Sequence, residues 1–285
     1  MKKGTELVGI VVIVGLLLAS CGDSSSDDPS TPGHTHTPGT AATCTSEQTC
    51  TVCGTVIHAK LAHTPGAAVT CTVDQTCTVC NVIIIQASGH NFKWIVTNAS
   101  YPAQSTEKCI TCNIPSTSAT RETQIGDIGP AGGIIYYINT SGFIVTGTGS
   151  FTAHYLEAAL IYGATALSWA SSSFTDTDIV GTGTAIGTGK ENTRLILVTD
   201  ANAPAANICA NYGNGIAFDD WFLPSIDELY ELYISRSHFG ITSGWFWSSS
   251  QQSNNSVLVL RFSSGGQIGN SKDSSAGNIF TIRAF

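Results

Sequence analysis

Three histidines, His36, His63 and His90, stand 27 residues apart, and three cysteine pairs keep the same step: Cys44 and Cys71, Cys50 and Cys77, Cys53 and Cys80. Read as Cys-x5-Cys-x2-Cys-x9-His, one copy supplies Cys44, Cys50, Cys53 and His63, and the next supplies Cys71, Cys77, Cys80 and His90. Three thiolates and an imidazole form a Cys3His donor set for a tetrahedral metal, zinc above all. Disulfides are at least as well suited to an exported chain. A third, degraded copy keeps Cys109 and Cys112 without a leading cysteine, so the region holds an even eight cysteines that can pair across copies. Thioredoxin-like redox chemistry at Cys-x2-Cys is weaker, because no βαβ context surrounds it. A module this short owns no hydrophobic core and needs a staple. The Val, Ile and Leu after each Thr-Val-Cys predict short strands, and residues 41–120 read as a stalk of small Cys-rich β repeats.

A different chemistry is written at the N-terminus. Lys2 and Lys3 precede an uncharged apolar run from Leu7 to Ala19. That run is a signal-peptide core, too short to cross ~30 Å of hydrocarbon at about 1.5 Å per residue. It ends Leu18-Ala19-Ser20-Cys21, which resembles a bacterial lipobox. The resemblance implies a signal peptide over 1–20, lipidation of Cys21, and membrane attachment through that lipid, with the mature protein on the outer membrane and exposed at the surface. Residues 21–40 are Ser, Asp, Pro and Thr, which bury too little to offset ordering entropy and predict a flexible tether.

Catalytic constellations are sparse. From Gly126 onward the cysteine content drops to Cys209, on the expected buried face of a helix, where a satisfied core thiol is the simpler reading. His154 and His238 sit in no Cys/His or Ser/His motif. Asp219-Asp220 and Asp227-Glu228 suit turn entry and the start of a helix better than calcium. Whole-chain charge is −8 from 12 basic and 20 acidic residues, and only 11% of residues are charged. Nucleic acid and anionic surfaces need clustered Lys and Arg, so both are excluded as favoured partners.

Binding is better represented. Trp245 and Trp247 flank Phe246, so strand alternation puts both indoles on one face. Around them Gln251, Ser253, Asn254, Asn255, Arg261, Gln267, Asn270, Lys272 and Asp273 supply adaptable polar groups. Rigid aromatics among Ser, Asn and Gly make an antibody-like paratope. These eleven residues are the expected ligand-binding site, for an unidentified protein or cell-surface ligand.

The elements that must hold them read as α+β. Ile134 to Ile138 and Tyr155 to Ala159 predict strands, and Gly187-Thr188-Gly189-Lys190 leads into a helix ending near Thr199. Pro204 starts a second helix. Ser225 with Glu228 forms a capping box for a third, with Ile226, Leu229, Tyr230 and Tyr233 as its buried stripe. Gly244 to Trp247, Val257 to Phe262 and Phe280 to Phe285 predict closing strands.

Taken in order, Ile128-Gly129-Pro130-Ala131-Gly132-Gly133-Ile134-Ile135-Tyr136-Tyr137, Tyr155-Leu156-Glu157-Ala158-Ala159, Gly187-Thr188-Gly189-Lys190, Trp221-Phe222-Leu223-Pro224-Ser225, Trp247-Ser248-Ser249 and Ile282-Arg283-Ala284-Phe285 look like the C-terminal domain of the Legionella collagen-like adhesin family. The resemblance covers most of residues 121–285 and implies a C-type lectin-like fold of the formylglycine-generating-enzyme type. With the lipobox and repeats in front, the chain is similar to the Treponema variable lipoproteins diversified by a retroelement. That implies a non-catalytic display protein with a variable region near 245–278. Residues 251–278 carry 7 Ser, 4 Asn and 4 Gly, as adenine mutagenesis of Asn codons would leave. Formylglycine-generating enzymes hold copper with two cysteines near the C-terminus, and this domain has one. The adhesin relatives suggest sulfated glycans, but six basic against twelve acidic residues disfavour polyanions. A non-varying adhesin or envelope structural lipoprotein is the alternative, and a copper oxidase the third.

Overall fold

A computed structural model describes residues 35–161, 167–213, 217–275 and 277–285. The signal run, the acylation candidate Cys21 and most of the expected tether lie outside them. No helix among the described residues is long and apolar enough to cross a membrane. The chain divides into two compact units that interleave in sequence. Of the described residues, the first contains those up to Gly66 together with Thr76–Val82, and the second those of Ala67–Gln75 and Ile83–Phe285.

The first unit is built on turns. Within it β1 (Gln48–Thr49) pairs antiparallel with β2 (Val56–His58). Two more short strands follow in the chain, β3 (Gln75–Thr76) and β4 (Ile83–Ile85). β2 and β4 fall where the Val and Ile after each Thr-Val-Cys place them.

Among its described residues the second unit is mostly β-sheet with three short α-helices, an α+β arrangement. β5 (Phe92–Asn98), β6 (Gln104–Cys109) and β7 (Pro115–Glu122) form an antiparallel sheet in chain order. This sheet was not expected from the sequence, and β7 runs across the 120/121 position where composition changes. It shares a small core with the following strands through Val96, Ala103, Ile135 and Tyr155. Asp127 ties it down, accepting from Ser105 Oγ at 2.8 Å and from Arg121 at 2.6 Å.

β8 (Ile134–Val145) and β9 (Phe151–Ile161) are longer than their sequence signals, and β13 (Ile279–Ala284) pairs antiparallel with β9. The three helices are α1 (Gly189–Thr199), α2 (Pro204–Ala210) and α3 (Ile226–Ile234). The capping box at Ser225 and Glu228 is present. The buried stripe of α3 is Ile226, Leu229 and Leu232, whereas Tyr230 is exposed and Tyr233 only partly covered. The aliphatic residues take the core side and the amphipathic tyrosines the rim.

A third sheet, ordered β10-β11-β12, consists of β10 (Trp245–Ser253), β11 (Ser256–Arg261) and β12 (Gly266–Ser271). Two cores cover the faces of its first two strands. Phe246 and Leu260 pack with Phe262, Phe280, Leu229 and Leu232, with the Phe246 and Phe262 rings 4.2 Å apart. Trp247, Val257 and Val259 pack on the opposite face with Trp169, Ile196, Leu223 and Cys209. Alternation along a strand sends neighbours to opposite faces, so Trp245 and Trp247 do share a side, with Phe246 on the other.

Candidate functional site

Eight of the nine described cysteines gather around histidines. Cys44, His63, Cys77 and Cys80 form one cluster within the first unit, and Cys71, His90, Cys109 and Cys112 form another within the second. Among the described residues His36, Cys50 and Cys53 form a third. In each, one donor atom per residue lies within 4.8 Å of all the others.

A recurring local structure holds the donors. Each Cys-x2-Cys closes a tight turn in which the residue after the second cysteine turns left-handed: Gly54 (φ 76°), Asn81 (φ 59°) and Asn113 (φ 60°). Gly and Asn are the residues that tolerate this conformation. The N–H of that residue donates to the carbonyl of the first cysteine, at 3.0 Å for Gly54, 2.9 Å for Asn81 and 2.8 Å for Asn113. The histidine arrives on a separate segment fixed by the backbone. Thr51 N–H donates to Thr37 O and Thr78 N–H to Thr64 O, both at 2.9 Å, and Ile110 N–H donates to Asn91 O at 3.0 Å. The result is the same approach three times, with Nδ1 of His36, His63 and His90 lying 3.3, 3.3 and 3.4 Å from Sγ of Cys53, Cys80 and Cys112.

These separations suit a tetrahedral ion. Bonds of about 2.3 Å to sulfur and about 2.0 Å to nitrogen put neighbouring sulfurs roughly 3.8 Å apart, and sulfur and nitrogen roughly 3.5 Å apart. Cys44 and Cys77 have Sγ atoms 3.9 Å apart, and Cys71 and Cys109 3.7 Å. Both exceed a disulfide bond of about 2.05 Å by far. Electrostatics points the same way. Burial pushes the Cys77 thiol up, but the N–H groups of Val79 and Cys80 and the His63 ring outweigh it and bring it down to about 6. The N–H of Cys112 leads in lowering Cys109 to about 5, with burial opposing and His90 assisting. Cys44 rises to about 11 through its hydrogen bond with Cys80 and through burial, and Cys71 to about 11 through burial and its hydrogen bond with Cys112. One sulfur of each pair is thus readily a thiolate while its neighbour keeps a proton, and a divalent cation can replace that proton. The Cys/His clusters can hold a metal ion.

The donor sets differ from the Cys-x5-Cys-x2-Cys-x9-His unit read in the sequence. Cys44 does not join Cys50 and Cys53. It reaches forward to the His and Cys-x2-Cys of the next copy, and Cys71 does the same. Cys50 and Cys53 belong with His36, which precedes them. His36, Cys109 and Cys112 were therefore missing from the expected ligands. The signal was available, since His precedes Cys-x2-Cys by 14 residues both at His36 and at His63, but a period alone does not say where a unit begins.

The expected ligand-binding residues separate into three groups. Trp247 and Lys272 are fully buried. Trp247 Nε1 donates to Leu167 O at 3.0 Å, and a side chain at Gly277 would collide with that indole. Lys272 Nζ donates to Thr177 O at 2.5 Å and to Gln251 Oε1 at 3.1 Å. Both are corrected from ligand contacts to internal pins. Gln251 is half-buried and serves the same network, its Oε1 also accepting from Ile179 N–H at 2.8 Å.

The other eight reach solvent at two ends of the β10-β11-β12 sheet. At one end Trp245 pairs with Arg261, whose guanidinium lies 5.5 Å from the indole ring, and Gln267 sits on β12 opposite Leu260. At the other, Ser253, Asn254 and Asn255 make the β10–β11 turn, with Asn270 and Asp273 at the end of β12. Five residue steps along β11 separate these ends, roughly 17 Å at about 3.4 Å per residue. Between them Val257, Val259, Leu260 and Phe262 are buried.

Neither family models nor curated proteins match this chain.

The remaining catalytic candidates have structural partners. Cys209 is wholly buried, its thiol pushed far up by desolvation, and it contacts Phe280 O at 3.5 Å. His154 Nδ1 lies 2.9 Å from Asn139 O, and its ring stacks on Tyr101. Asp220 forms a two-toothed pair with Arg283, at 2.7 and 3.0 Å, and Arg283 also holds buried Glu157 at 2.7 Å. Glu228 is enclosed, accepting from Ser225 N–H at 2.7 Å and Gly187 N–H at 2.9 Å.

Proposed function

We propose that this chain is a non-catalytic surface lipoprotein, anchored through Cys21, in which zinc-stapled Cys/His modules precede a binding domain. That domain takes a C-type lectin-like fold of the formylglycine-generating-enzyme type and presents a diversified edge to a protein or cell-surface ligand. The edge comprises the Ser253–Asn255 turn, the outer strand β12 and the Trp245–Arg261 pair. One observation carries the reading: along β11 and into β12, buried Val257, Val259, Leu260 and Phe262 anchor the strands while Asn254, Asn255, Arg261, Gln267 and Asp273 face solvent. Substitution at the second set leaves the first untouched, which is the property a variable binding surface requires. Zinc is the metal of choice because sulfur-rich tetrahedral sites select it.

The test replaces Asn254, Asn255, Gln267 and Asp273 together by residues of different size and charge. The melting temperature should hold while the set of biotinylated cell-surface proteins captured by the full chain changes. An unchanged captured set would reject the edge as the reader. In the gene, an adenine-rich near-copy of the closing segment beside a reverse transcriptase is expected. Without it the domain is a non-varying adhesin.

A further inference from the structure

A cleft of about 220 Å3 opens in the second unit where the turn from β8 to β9, the first turns of α1 and the Asp219–Phe222 segment meet. It shares no residue with the edge described above. Its walls are mainly apolar, with Phe151, Leu197, Trp221 and Phe222 among them. The turn is held close to α1 by Gly147, whose φ is +124° and whose missing side chain would lie 2.9 Å from the Glu191 carboxylate.

The charges at this cleft do not all cancel. Glu191 is matched by Arg194, with bonds of 2.8 and 2.6 Å, and Asp220 is matched by Arg283. Two ionic groups remain. Lys190 is half-buried with its ammonium 5.4 Å from the centre of the Phe151 ring, and it has no carboxylate partner among the described residues. Asp219 is exposed and likewise has no hydrogen-bond or ion-pair partner among them. Trp221 is 3% exposed and adds its indole ring to the apolar wall.

We infer that this cleft binds a small zwitterion with an apolar body, of which an apolar α-amino acid is the fitting class. Its carboxylate meets the Lys190 ammonium, its ammonium meets Asp219, and its side chain packs against Phe151 and Trp221. The size agrees: a cavity of about 150 Å3 accommodates benzene, and the ~220 Å3 here leaves room for the polar end. A mostly apolar pocket with a few placed polar groups is the general form of a small-molecule site.

Calorimetric titration of the full chain with phenylalanine tests this, beside phenylpropionate, which lacks the ammonium, and phenethylamine, which lacks the carboxylate. Phenylalanine should bind saturably, and each analogue should bind about tenfold more weakly or worse, since each loses one charge-assisted contact. Lys190→Ala should erase the advantage of phenylalanine over phenethylamine, and Asp219→Asn its advantage over phenylpropionate. Val52→Ala, at an exposed position of the first unit, should leave all three affinities alone. Absence of saturable binding at millimolar phenylalanine, analogues that bind as well as the amino acid, or indifference to both substitutions would each overturn the assignment.

Discussion

The Cys/His modules and the C-terminal domain solve the same problem with opposite materials. In the modules the aliphatic side chains are outside: Val52, Val56, Val79, Val82 and Ile83 are all exposed, while Cys44, Cys50, Cys71 and Cys77 are buried. In the domain Trp169, Trp247, Phe222, Phe262 and Phe280 are interior, and even charged groups such as Glu157, Glu228 and Lys272 are enclosed with partners. A 27-residue unit has too much surface for its volume to gain from apolar burial. Its interior is therefore a donor set, and its stability is borrowed from whatever the donors hold. The larger domain can bury rings and spare some interior space for ionic groups.

That contrast breaks most sharply at Cys77→Ser. Structural zinc in small modules contributes about 10–16 kcal/mol to folding, so loss of one donor should lower the metal content measured by mass spectrometry. It should also expose residues 44–82 to protease, while the tryptophan-monitored melting of the C-terminal domain stays in place. Unaltered metal content would mean that the first unit is held by something else. Next in size is Trp247→Ala, which empties a core site and should cost about 3–5 kcal/mol in urea unfolding without changing metal content. A cost near zero would return Trp247 to the surface.

Acid–base linkage gives a third, smaller effect. Desolvation by burial raises Glu228 from 4.5 to about 7, against the hydrogen bonds from Ser225 and Gly187. A carboxyl raised on folding binds its proton more tightly in the folded state. Its contribution is complete below the unfolded value and is lost as pH rises through about 7. Stability of the domain should thus fall by roughly 2–3 kcal/mol between about pH 4.5 and 7. Glu228→Gln should flatten that slope, and an unchanged slope would assign it to another group. Smallest of all, Asn254→Ala and Asn255→Ala should each shift stability by less than about 0.5 kcal/mol. A larger loss in either would make the turn part of the framework.

Local chemistry was legible wherever it was strongly constrained. The capping box at Ser225 and Glu228, the Pro204 helix start and the burial of Cys209 all follow from short-range rules. The repeat period was plain, yet the donor grouping was not, because a cysteine that reaches into the following copy leaves the same period as one that stays. β12 escaped notice since Gly266, Gly269 and Asn270 have weak strand preference, and only pairing with β11 makes them a strand. Trp247 and Lys272 were misplaced for a related reason. Alternation assigns a face to a side chain, but whether that face meets water or a second layer depends on segments far away in sequence, here Leu167 and Thr177.

The forward reach of the leading cysteine has a consequence for the array as a whole. Because Cys44 and Cys71 each complete a quartet begun one copy further on, inserting or deleting a 27-residue copy between His36 and His90 creates or removes one full quartet and orphans no sulfur. A change in the number of copies within that span therefore leaves every leading cysteine with a partner set.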